Sequence, residues 1–417
     1  MSIVFINHFA GTPDKNDISL RHYFFAKNLK RRNINSTIIT SSKSYFSNNK
    51  TKITSSKKNI NGIDYFFINE SDPRSINIFT KFLRMISFSK NLYFFLTKHK
   101  SSIKANYVYA SSPDLLACLI AYFYSKKISA KFIFEIRDIW PLSQVFLHGY
   151  SKLHPVVIFF RMIEKYLHKK ADIVVSVLPN YRKYLKDHSL SFSKYIYAPQ
   201  IIDLEFYRNN YLSKDDCLNE YNHIFANHKN VGIYSGTIGS YYGIKHIVDA
   251  LIDFNKTHNI KDFALIIMGD GDRKEEIVKI KKEKKINNLY IIDAQKKSNL
   301  FKIHKKCTFG IVSFPDKELY KYGIASLKML DYLFSGIPIL MLGPFNKYSI
   351  LKYSSHHFHS NFGDVKKISR EFDNLCSLNV KERKILADEY KNLLSRYATS
   401  ESLEDIFTEL EHNSISY

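Results

Sequence analysis

The chain has 417 residues, 45% of them hydrophobic, and a formal net charge of +23 at pH 7. A folded chain of this length exceeds one ordinary core, so two domains of roughly 200 residues each are expected. The sequence lacks the run of about 18 to 20 apolar residues that a membrane-spanning helix needs. Its four cysteines lack the paired spacing of a disulfide framework or a zinc site.

The positive charge is concentrated in the first half of the chain. Residues 1–200 contain 31 Lys and Arg against 11 Asp and Glu, a net charge of +20, whereas the remainder contains 31 against 28, a net charge of +3. A basic surface of this kind attracts nucleic acid or an anionic membrane leaflet. An AT-rich genome would also enrich lysine, asparagine and isoleucine, but it would not explain the asymmetry between the halves.

Apolar runs and helix-length spacers alternate along the first half. The chain starts with an apolar run of five residues and no basic segment before it, which predicts a first strand and not a signal peptide. Further short apolar runs separated by helical stretches are typical of β-α-β units. Strands are predicted at 2–6, 36–40, 107–110, 131–136, 172–177 and 194–199, and helices at 18–32 and 114–127.

The second half repeats this pattern and predicts a second parallel sheet. The fold class is therefore α/β, with two Rossmann-like, doubly wound parallel-sheet domains. We expect domains at 1–205 and 206–390, with a polar linker and lead-in helix at 208–229, followed by a C-terminal helix within 391–417 that can return to the first domain. The predicted strands are 230–236, 263–269, 289–293, 309–314 and 337–342.

Ligands of doubly wound sheets bind at the carboxyl ends of the strands, so the residues that follow each predicted strand are site candidates. The loop SGTIGSYYG (235–243) contains Gly236 and Gly239, which would let backbone N–H groups approach a phosphate. Its spacing does not match the dinucleotide-binding fingerprint, and no acidic residue ends the next strand. The loop is either a phosphate-binding loop or a plain tight turn.

The stretch GIASLKMLDYLFSGIPIL (323–340) places two charged residues at the start of an apolar helix. If the helix begins near Ser326, this residue is its N-cap, and Lys328 adds a positive charge beside the N–H groups of the first turn, as in a diphosphate site. Asp331 would lie on the same face, where a carboxylate can bind the two ribose hydroxyls. The alternative is an i,i+3 salt bridge between Lys328 and Asp331.

Several blocks now carry a resemblance. YSGTIGSYYGIKHIVDAL (234–251), IIMGDGD (266–272) and the stretch at 323–340 resemble the donor-binding half of retaining glycosyltransferases of family 4. RDIWP (137–141) resembles the motif of the branch that adds N-acetylated amino sugars, such as N-acetylfucosamine, in O-antigen or capsule assembly. The resemblance implies a GT-B fold, in which two Rossmann-like domains face an interdomain cleft. It also implies a UDP-sugar donor on the second domain, a polyprenyl-diphosphate-linked glycan acceptor on the first, and neither a metal nor another cofactor.

The family pattern implies roles for single positions of this chain. Asp331 stands where the second of two glutamates binds ribose, whereas the first glutamate has no acidic equivalent near 320–323. Thr237 stands where many members carry a basic residue, so Lys328 is the candidate that meets the phosphate charge. Gly269 is implied to lie near the nucleobase. The predicted donor-binding set is Gly11, Gly236, Thr237, Gly239, Gly269, Ser326, Lys328 and Asp331.

Arg137 and Asp138 stand where many members carry a His-Asp pair, and they are the predicted catalytic residues. Asp138 would position or deprotonate the acceptor hydroxyl, and Arg137 would pair with it or with the acceptor's phosphate. Retention would proceed by front-face attack, with the departing phosphate oxygen taking the proton, although the residues leave inversion open. A structural alternative has Asp138 capping the next helix and Trp140 in the core.

Two basic apolar segments, 76–100 and 155–170, have the character of interfacial amphipathic helices. With the charge of the first half, they predict a cytoplasmic protein held peripherally on the anionic inner face of the cytoplasmic membrane, although such helices also pack on their own sheet. A nucleic-acid-binding protein and a non-hydrolysing sugar-nucleotide epimerase are the rival functions. No nucleic-acid-binding motif supports the first, and the second does not need the basic segments. The cations predicted to face the membrane are Lys81, Arg84, Lys90 and Arg161.

Overall fold

The computed structural model divides the chain into two compact units. Unit 1 comprises Met1–Ile201 with Ser402–Tyr417, and unit 2 comprises Ile202–Glu401. The sequence-based bounds of 1–205, 206–390 and 391–417 differ from these because the helix before the C-terminal segment belongs to unit 2. The structure describes residues 1–13, 19–42, 57–70, 78–100, 103–211, 219–344, 349–354, 356–399 and 403–412.

Unit 1 is built on a sheet of eight strands. Seven of them are parallel, and the edge strand β3 is antiparallel to β4. The central strands are buried at every position or at every position after the first, which explains their continuous apolar runs. In the order β3-β4-β2-β1-β5-β6-β7-β8, the strands are β1 (Ser2–Ile6), β2 (Asn35–Ser41), β3 (Lys57–Ile60), β4 (Ile63–Ile68), β5 (Tyr107–Ser111), β6 (Lys131–Ile136), β7 (Ile173–Ser176) and β8 (Tyr195–Tyr197).

In the described part of unit 1, six helices connect the strands. The basic apolar segment 76–100 contains one continuous helix of 21 residues, because no glycine or proline interrupts its apolar periodicity. The second basic segment is also a single helix, with Pro155 at its first position. The helices are α1 (Arg21–Arg31), α2 (Ile78–Lys98), α3 (Leu115–Lys127), α4 (Leu142–His148), α5 (Pro155–Lys170) and α6 (Tyr181–Asp187).

Unit 2 contains a six-stranded sheet in which every strand pair is parallel. Its strand order is β11-β10-β9-β12-β13-β14, so the chain reverses direction across the sheet between β9 and β12. This switch point is where doubly wound sheets bind ligands. The strands are β9 (Asn230–Ser235), β10 (Phe263–Met268), β11 (Leu289–Ile292), β12 (Phe309–Ser313), β13 (Ile339–Leu342) and β14 (Phe358–Ser360).

The helices of unit 2 cover this sheet. Ile247 and Leu251 of one helix and Ile368 and Phe372 of another join Phe263 of β10 in one buried apolar cluster, which anchors the strands of the switch point. The helices are α7 (Leu204–Tyr211), α8 (Asn222–Asn227), α9 (Ile244–Phe254), α10 (Lys274–Glu283), α11 (Lys297–Lys306), α12 (Leu327–Ser335), α13 (Val365–Ser377) and α14 (Val380–Tyr397).

A last helix, α15 (Glu404–His412), packs on unit 1. Arg32 of α1 forms ion pairs with Glu404 and Glu411 of α15, at 2.7 and 2.9 Å. Phe407 lies edge-on to Phe25, which closes the apolar side of this contact. Among the described residues of either unit, none of the helices has the length and apolar character required to cross a membrane.

Candidate functional site

The loops that follow β9 and β10 form one paired structure at the carboxyl edge of the unit 2 sheet. Gly236 N–H donates to the carbonyl of Met268 and Ile238 N–H to that of Asp270, both at 2.9 Å. Gly269 has a φ of +148°, and a Cβ on it would lie 1.9 Å from the carbonyl oxygen of Gly236. Only glycine permits this approach. The predicted glycine loop is therefore a close backbone corner, and its phosphate-binding role stays a prediction.

Helix α12 begins beside this corner. Ser326 occupies the predicted N-cap position, but its hydroxyl makes no capping hydrogen bond. Lys328, in the first turn, crosses the backbone of Gly236 so closely that a Cβ there would lie 2.8 Å from the lysine Cε. The structure thus brings together Gly236, Gly269, Ser326 and Lys328 of the predicted donor set. Thr237 and Gly239 lie in the same loop, where Tyr234 Oη donates to the carbonyl of Thr237 at 2.7 Å.

The ammonium group of Lys328 faces aromatic rings. Its Nζ lies 3.8 Å from the ring centre of Tyr234 and 5.3 Å from that of Tyr242. Within the described part of the chain, no carboxylate pairs with it. Burial lowers the pKa of Lys328 to about 7, because the protonated amine has lost water. An anion placed here would restore the charge, so the geometry suits a phosphate oxygen.

Asp331 faces different partners from those of Lys328. Its Oδ1 lies 3.1 Å from Nζ of Lys297 in α11, and the same Nζ donates to Tyr207 Oη of α7 at 2.7 Å. The alternative of a Lys328–Asp331 salt bridge is therefore wrong. Burial raises the pKa of Asp331, and the adjacent Lys297 opposes that rise without cancelling it. The ribose-binding role of Asp331 stays a prediction.

A buried hydrogen-bond network fixes α12 on the sheet. Tyr332 Oη accepts from Ser235 N–H at 2.9 Å and donates to the carbonyl of Ile233 at 3.2 Å. Ser235 Oγ is 3.0 Å from the same hydroxyl and 3.1 Å from Nε2 of His304. Burial lowers the pKa of His304 to about 3, so the ring is neutral. These bonds connect the end of β9 directly to the helix that carries Lys328, and they set its position.

The two predicted catalytic residues of unit 1, Arg137 and Asp138, form hydrogen bonds with different partners. Arg137 donates to Ser19 Oγ at 3.2 and 3.3 Å, whereas Asp138 Oδ2 accepts from the hydroxyl of Ser143 at 3.1 Å. Burial lowers the pKa of Arg137 and raises that of Asp138. The hydrogen bond to Ser143 in the first turn of α4 is close to the expected helix-capping alternative, although the N-cap position itself belongs to Pro141.

Sequence reasoning missed a second charged group, at the end of β1. His8 Nδ1 is 2.8 Å from Asp114 Oδ2, and His8 Nε2 pairs with Glu70, which also binds Arg84. The imidazole is stacked between Phe9 and Phe88, with ring centres 4.3 and 4.1 Å away. Burial opposes protonation, but the two carboxylates raise the pKa of His8 above its usual value. Its position two residues after the end of β1 was the available signal.

His8 also lies at the edge of a cavity of about 590 Å³ whose lining residues all belong to unit 1. The wall is mostly apolar, and Asp138 supplies a carboxyl group to it. Trp140 belongs to this wall, with its ring 4.1 Å from that of Phe160, so it is both a cavity residue and a packing residue. The apolar side chains of the wall include Phe9, Phe82, Met85, Trp140, Val156 and Val157.

Comparison with known proteins supports the fold. No family model and no curated protein matches the sequence, but solved structures match nearly the whole chain. Sucrose-phosphate synthase from Thermosynechococcus elongatus is 11% identical at a TM-score of 0.70, covering 100% of this chain and 99% of its own. HepE from Anabaena, in complex with UDP and glucose, is 12% identical at 0.67, covering 99% of each chain. A glycosyltransferase from Rickettsia africae is 14% identical at 0.63, covering 100% and 98%.

The chain has the GT-B fold. Within this GT-B chain, Gly11 belongs to unit 1, while the other predicted donor-binding residues belong to unit 2. Gly11 N–H donates to the carbonyl of Ser19 at 2.9 Å, so this donor is already used inside unit 1. The described residues contain no cluster of three or more His, Cys, Asp or Glu side chains suited to a metal ion.

The four cations predicted to face a membrane differ in their surroundings. Arg84 pairs with Glu70, and Arg161 binds Glu164 and Tyr184 within unit 1. Lys90 is exposed on α2, and the side chain of Lys81 lies outside the described residues. The same two helices also expose large apolar side chains to solvent. These are Leu83, Ile86, Tyr93 and Phe94 on α2, and Val156, Ile158, Phe159 and Met162 on α5.

Proposed function

We propose that this protein is a glycosyltransferase that takes its sugar from a uridine diphosphate sugar bound by unit 2. One observation carries the proposal: Lys328 lies in the first turn of α12, against the glycine corner of β9 and β10, and its ammonium group faces aromatic rings and no carboxylate of the described residues. The GT-B fold supports it, since a structurally similar protein, HepE, was solved with UDP, with UDP-glucose, and with UDP and glucose.

The chemistry asked of this site is stabilisation of a leaving diphosphate. As the bond between C1 of the sugar and the diphosphate oxygen breaks, negative charge grows on that oxygen. The charge of Lys328 and the N–H groups at the start of α12 favour this change over the ground state, which is the condition for catalysis. In unit 1, Asp138 accepts a hydrogen bond from the acceptor hydroxyl and orients it. We propose transfer with retention, in which the departing phosphate oxygen takes the hydroxyl proton, and no metal ion.

The finer identity of the substrates rests on the motifs. RDIWP and the order of the donor blocks favour an N-acetylated amino sugar, moved to a polyprenyl-diphosphate-linked saccharide in O-antigen or capsule assembly. The family's first donor-motif glutamate has no acidic counterpart at 320–323, so the sugar hydroxyls must be held by other groups. Assays with UDP-linked N-acetylated sugars and plain hexoses, each with lipid-linked acceptors, separate these possibilities.

We further propose that unit 1 associates peripherally with the anionic cytoplasmic face of the membrane. On α2, Phe88 and Leu92 are buried, while Tyr93 and Phe94 are more than half exposed. On α5, Phe159 and Met162 are likewise exposed. Aromatic and long apolar side chains beside lysines are suited to the boundary between head groups and acyl chains. The +20 charge of residues 1–200 adds electrostatic attraction to anionic lipids.

Vesicle sedimentation tests this association. Wild-type protein should bind phosphatidylglycerol vesicles at low salt, and the double variant Phe159→Ser with Met162→Ser should bind several-fold less, because apolar insertion is lost. Ile385→Ser is the matched control, since Ile385 is an exposed apolar residue of α14 in unit 2. Equal loss of binding in the control, or equal binding to neutral vesicles, argues against the proposal.

Nucleotide binding tests the donor site. We expect UDP to raise the melting temperature of the wild type, and Lys328→Met to abolish the shift. Lys281→Met is the matched control, because Lys281 also lies over a tyrosine ring, 5.5 Å from Tyr290, but in the last turn of α10. If no nucleoside diphosphate stabilises the wild type, the transferase proposal fails. Conversion of a UDP-sugar without any acceptor would instead identify an epimerase.

A further inference from the structure

The wall of the unit 1 cavity combines apolar side chains with a few polar groups. Its volume of about 590 Å³ is within the range of about 300 to 1,000 Å³ of small-molecule sites, which are mostly apolar with a few placed polar groups. Phe9, Phe82, Met85, Trp140 and Val157 supply apolar surface. Asp138, Gln144 and Tyr150 supply a carboxyl, an amide and a phenol. A ligand must therefore combine an apolar face with several hydroxyl or amide groups.

The charges in the wall argue against an anionic ligand. Arg84 and His8 both pair with Glu70, and His8 also pairs with Asp114, so neither cation is left for a phosphate. His154 Nδ1 accepts a hydrogen bond from the N–H of Val156 at 3.3 Å. A diphosphate in the cavity would lie beside the Asp138 carboxyl without a counter-charge from the described lining residues, and that arrangement is costly.

The cavity reaches the surface where the exposed apolar residues begin. Val156, at the start of α5, lines the cavity and is 43% exposed. Two and three residues further along the helix, Ile158 and Phe159 are also exposed apolar residues. A molecule seated in the cavity could thus extend an apolar carrier along α5 while its polar end stays beside Asp138. A polar group inside the cavity and apolar side chains at its opening match a sugar joined to a lipid.

We infer that the cavity binds the terminal sugar of the acceptor, and that this sugar is neutral and carries an apolar substituent of the acetamido or deoxy type. The inference rests on the proposed function, because it assigns the acceptor of that reaction. One face of a pyranose ring is lined by C–H groups and packs on aromatic rings such as Trp140. The methyl group of an acetamido substituent fits the aliphatic wall, and its amide can bond with Gln144.

Asp138 then acts as a positioning residue for the reacting hydroxyl. The hydroxyl oxygen forms a bond to C1 of the donor sugar, the bond from C1 to the diphosphate oxygen breaks, and the hydroxyl proton passes to that departing oxygen. Atoms and charge balance without a further reactant. The hydrogen bond to Ser143 holds the Asp138 carboxyl in place.

The fluorescence of Trp140 provides a direct test, because it is the only tryptophan of the chain and it lies in the wall. Purified protein is titrated with methyl N-acetylglucosaminide, methyl glucoside and farnesyl phosphate. We expect a saturable change with the acetamido glycoside, at least fivefold tighter than with the glucoside. No response to either glycoside, or a saturable response to farnesyl phosphate alone, overturns the inference.

Variants separate cavity binding from general damage. Asp138→Asn should weaken binding of the acetamido glycoside about tenfold, since a hydrogen bond to a charged acceptor is lost. Phe82→Leu should weaken this binding by a smaller factor. Phe94→Leu, on the exposed face of the same helix, should leave the affinity for the glycoside unchanged. UDP stabilisation must persist in all three variants. Loss of UDP binding in the wild type would instead refute the donor proposal, and unchanged glycoside binding in Asp138→Asn would refute this one.

Discussion

The charge of Lys328 makes nucleotide binding depend on pH in a specific direction. In the ligand-free protein the pKa of this lysine is about 7, because burial against Tyr234 and Tyr242 removes water from the ammonium group. A bound diphosphate favours the charged form and moves the pKa back toward its ordinary value of 10.5. Binding above pH 7 must therefore take up a proton, and affinity must fall as the pH rises.

The magnitude follows from the two pKa values. Ligand-free Lys328 is about one-tenth protonated at pH 8 and about one-hundredth at pH 9. The affinity for UDP should then fall about tenfold per pH unit between pH 8 and 9, and level off below pH 7. A terminal phosphate has its second pKa near 6, so the ligand contributes little over this range. Replacement by arginine, which stays charged, should flatten the profile.

Calorimetric titration at pH 7, 8 and 9 measures both the affinity for UDP and the number of protons taken up on binding. The proton uptake is obtained from titrations in buffers of different ionisation enthalpy. We expect uptake of close to one proton at pH 8.5 in the wild type and in Lys281→Met. Lys328→Met should bind weakly at every pH and take up none. A flat affinity profile in the wild type, or the same slope in Lys328→Met, would show that this lysine does not meet the phosphate.

The same reasoning predicts stability without ligand. The pKa of Lys328 in the folded state lies below its unfolded value, so the unfolded chain binds more protons between about pH 7 and 10.5. The destabilisation is fully present below pH 7 and is relieved as the pH rises through this window. In urea titrations the wild type should gain stability relative to Lys328→Met between pH 7 and 9. A loss over that interval would contradict the assigned pKa.

Four further substitutions test the buried charges and the glycine corner. Lys297→Met should cost about 3 kcal/mol in urea unfolding, because buried Asp331 loses its cation, and adding Asp331→Asn should recover part of that loss. Gly269→Ala should abolish UDP binding at a cost of about 1 to 3 kcal/mol, since its Cβ would lie 1.9 Å from a carbonyl oxygen; normal binding would contradict the corner geometry. Arg21 and His22 hold the pKa of Glu135 well below its usual value of 4.5 despite burial, so its stabilising charge is present above about pH 4.5 and lost in acid. Acid titration of Glu135→Gln should therefore show a shallower loss of stability than the wild type, and equal slopes would exclude this role.

The strands of the fold were predictable because most of them are buried on both faces. A continuous apolar run survives in the sequence whichever way the side chains point, so β1 and β6 were placed within their observed bounds. The hairpin of β3 and β4 was missed, since β3 lies at the sheet edge and carries exposed lysines. Asn61 and Gly62, both with positive φ, form its turn and were the available signal.

The site was predictable only as far as local spacing reaches. The position of Lys328 in the first helical turn follows from a short stretch of sequence, but its contacts with Tyr234 and Tyr242 join residues more than eighty positions apart. Asp331 was expected to share a face with Lys328. Residues three apart on a helix still differ by about 60° in direction, and neighbouring elements then decide: the β9 loop receives Lys328, while α11 and α7 receive Asp331.

This divergence clarifies why Lys328 is the informative residue of unit 2. A buried charge that serves stability has its partner inside the fold, as Asp331 has in Lys297. A buried histidine can instead avoid the free-energy cost of a desolvated charge by staying neutral, as His304 does. Lys328 has no carboxylate partner among the described residues, and burial lowers its pKa to about 7, so the free protein carries only part of this charge near neutral pH. Such an arrangement is expected where the missing anion arrives with the substrate, because the stabilisation forgone in the free protein is recovered on binding.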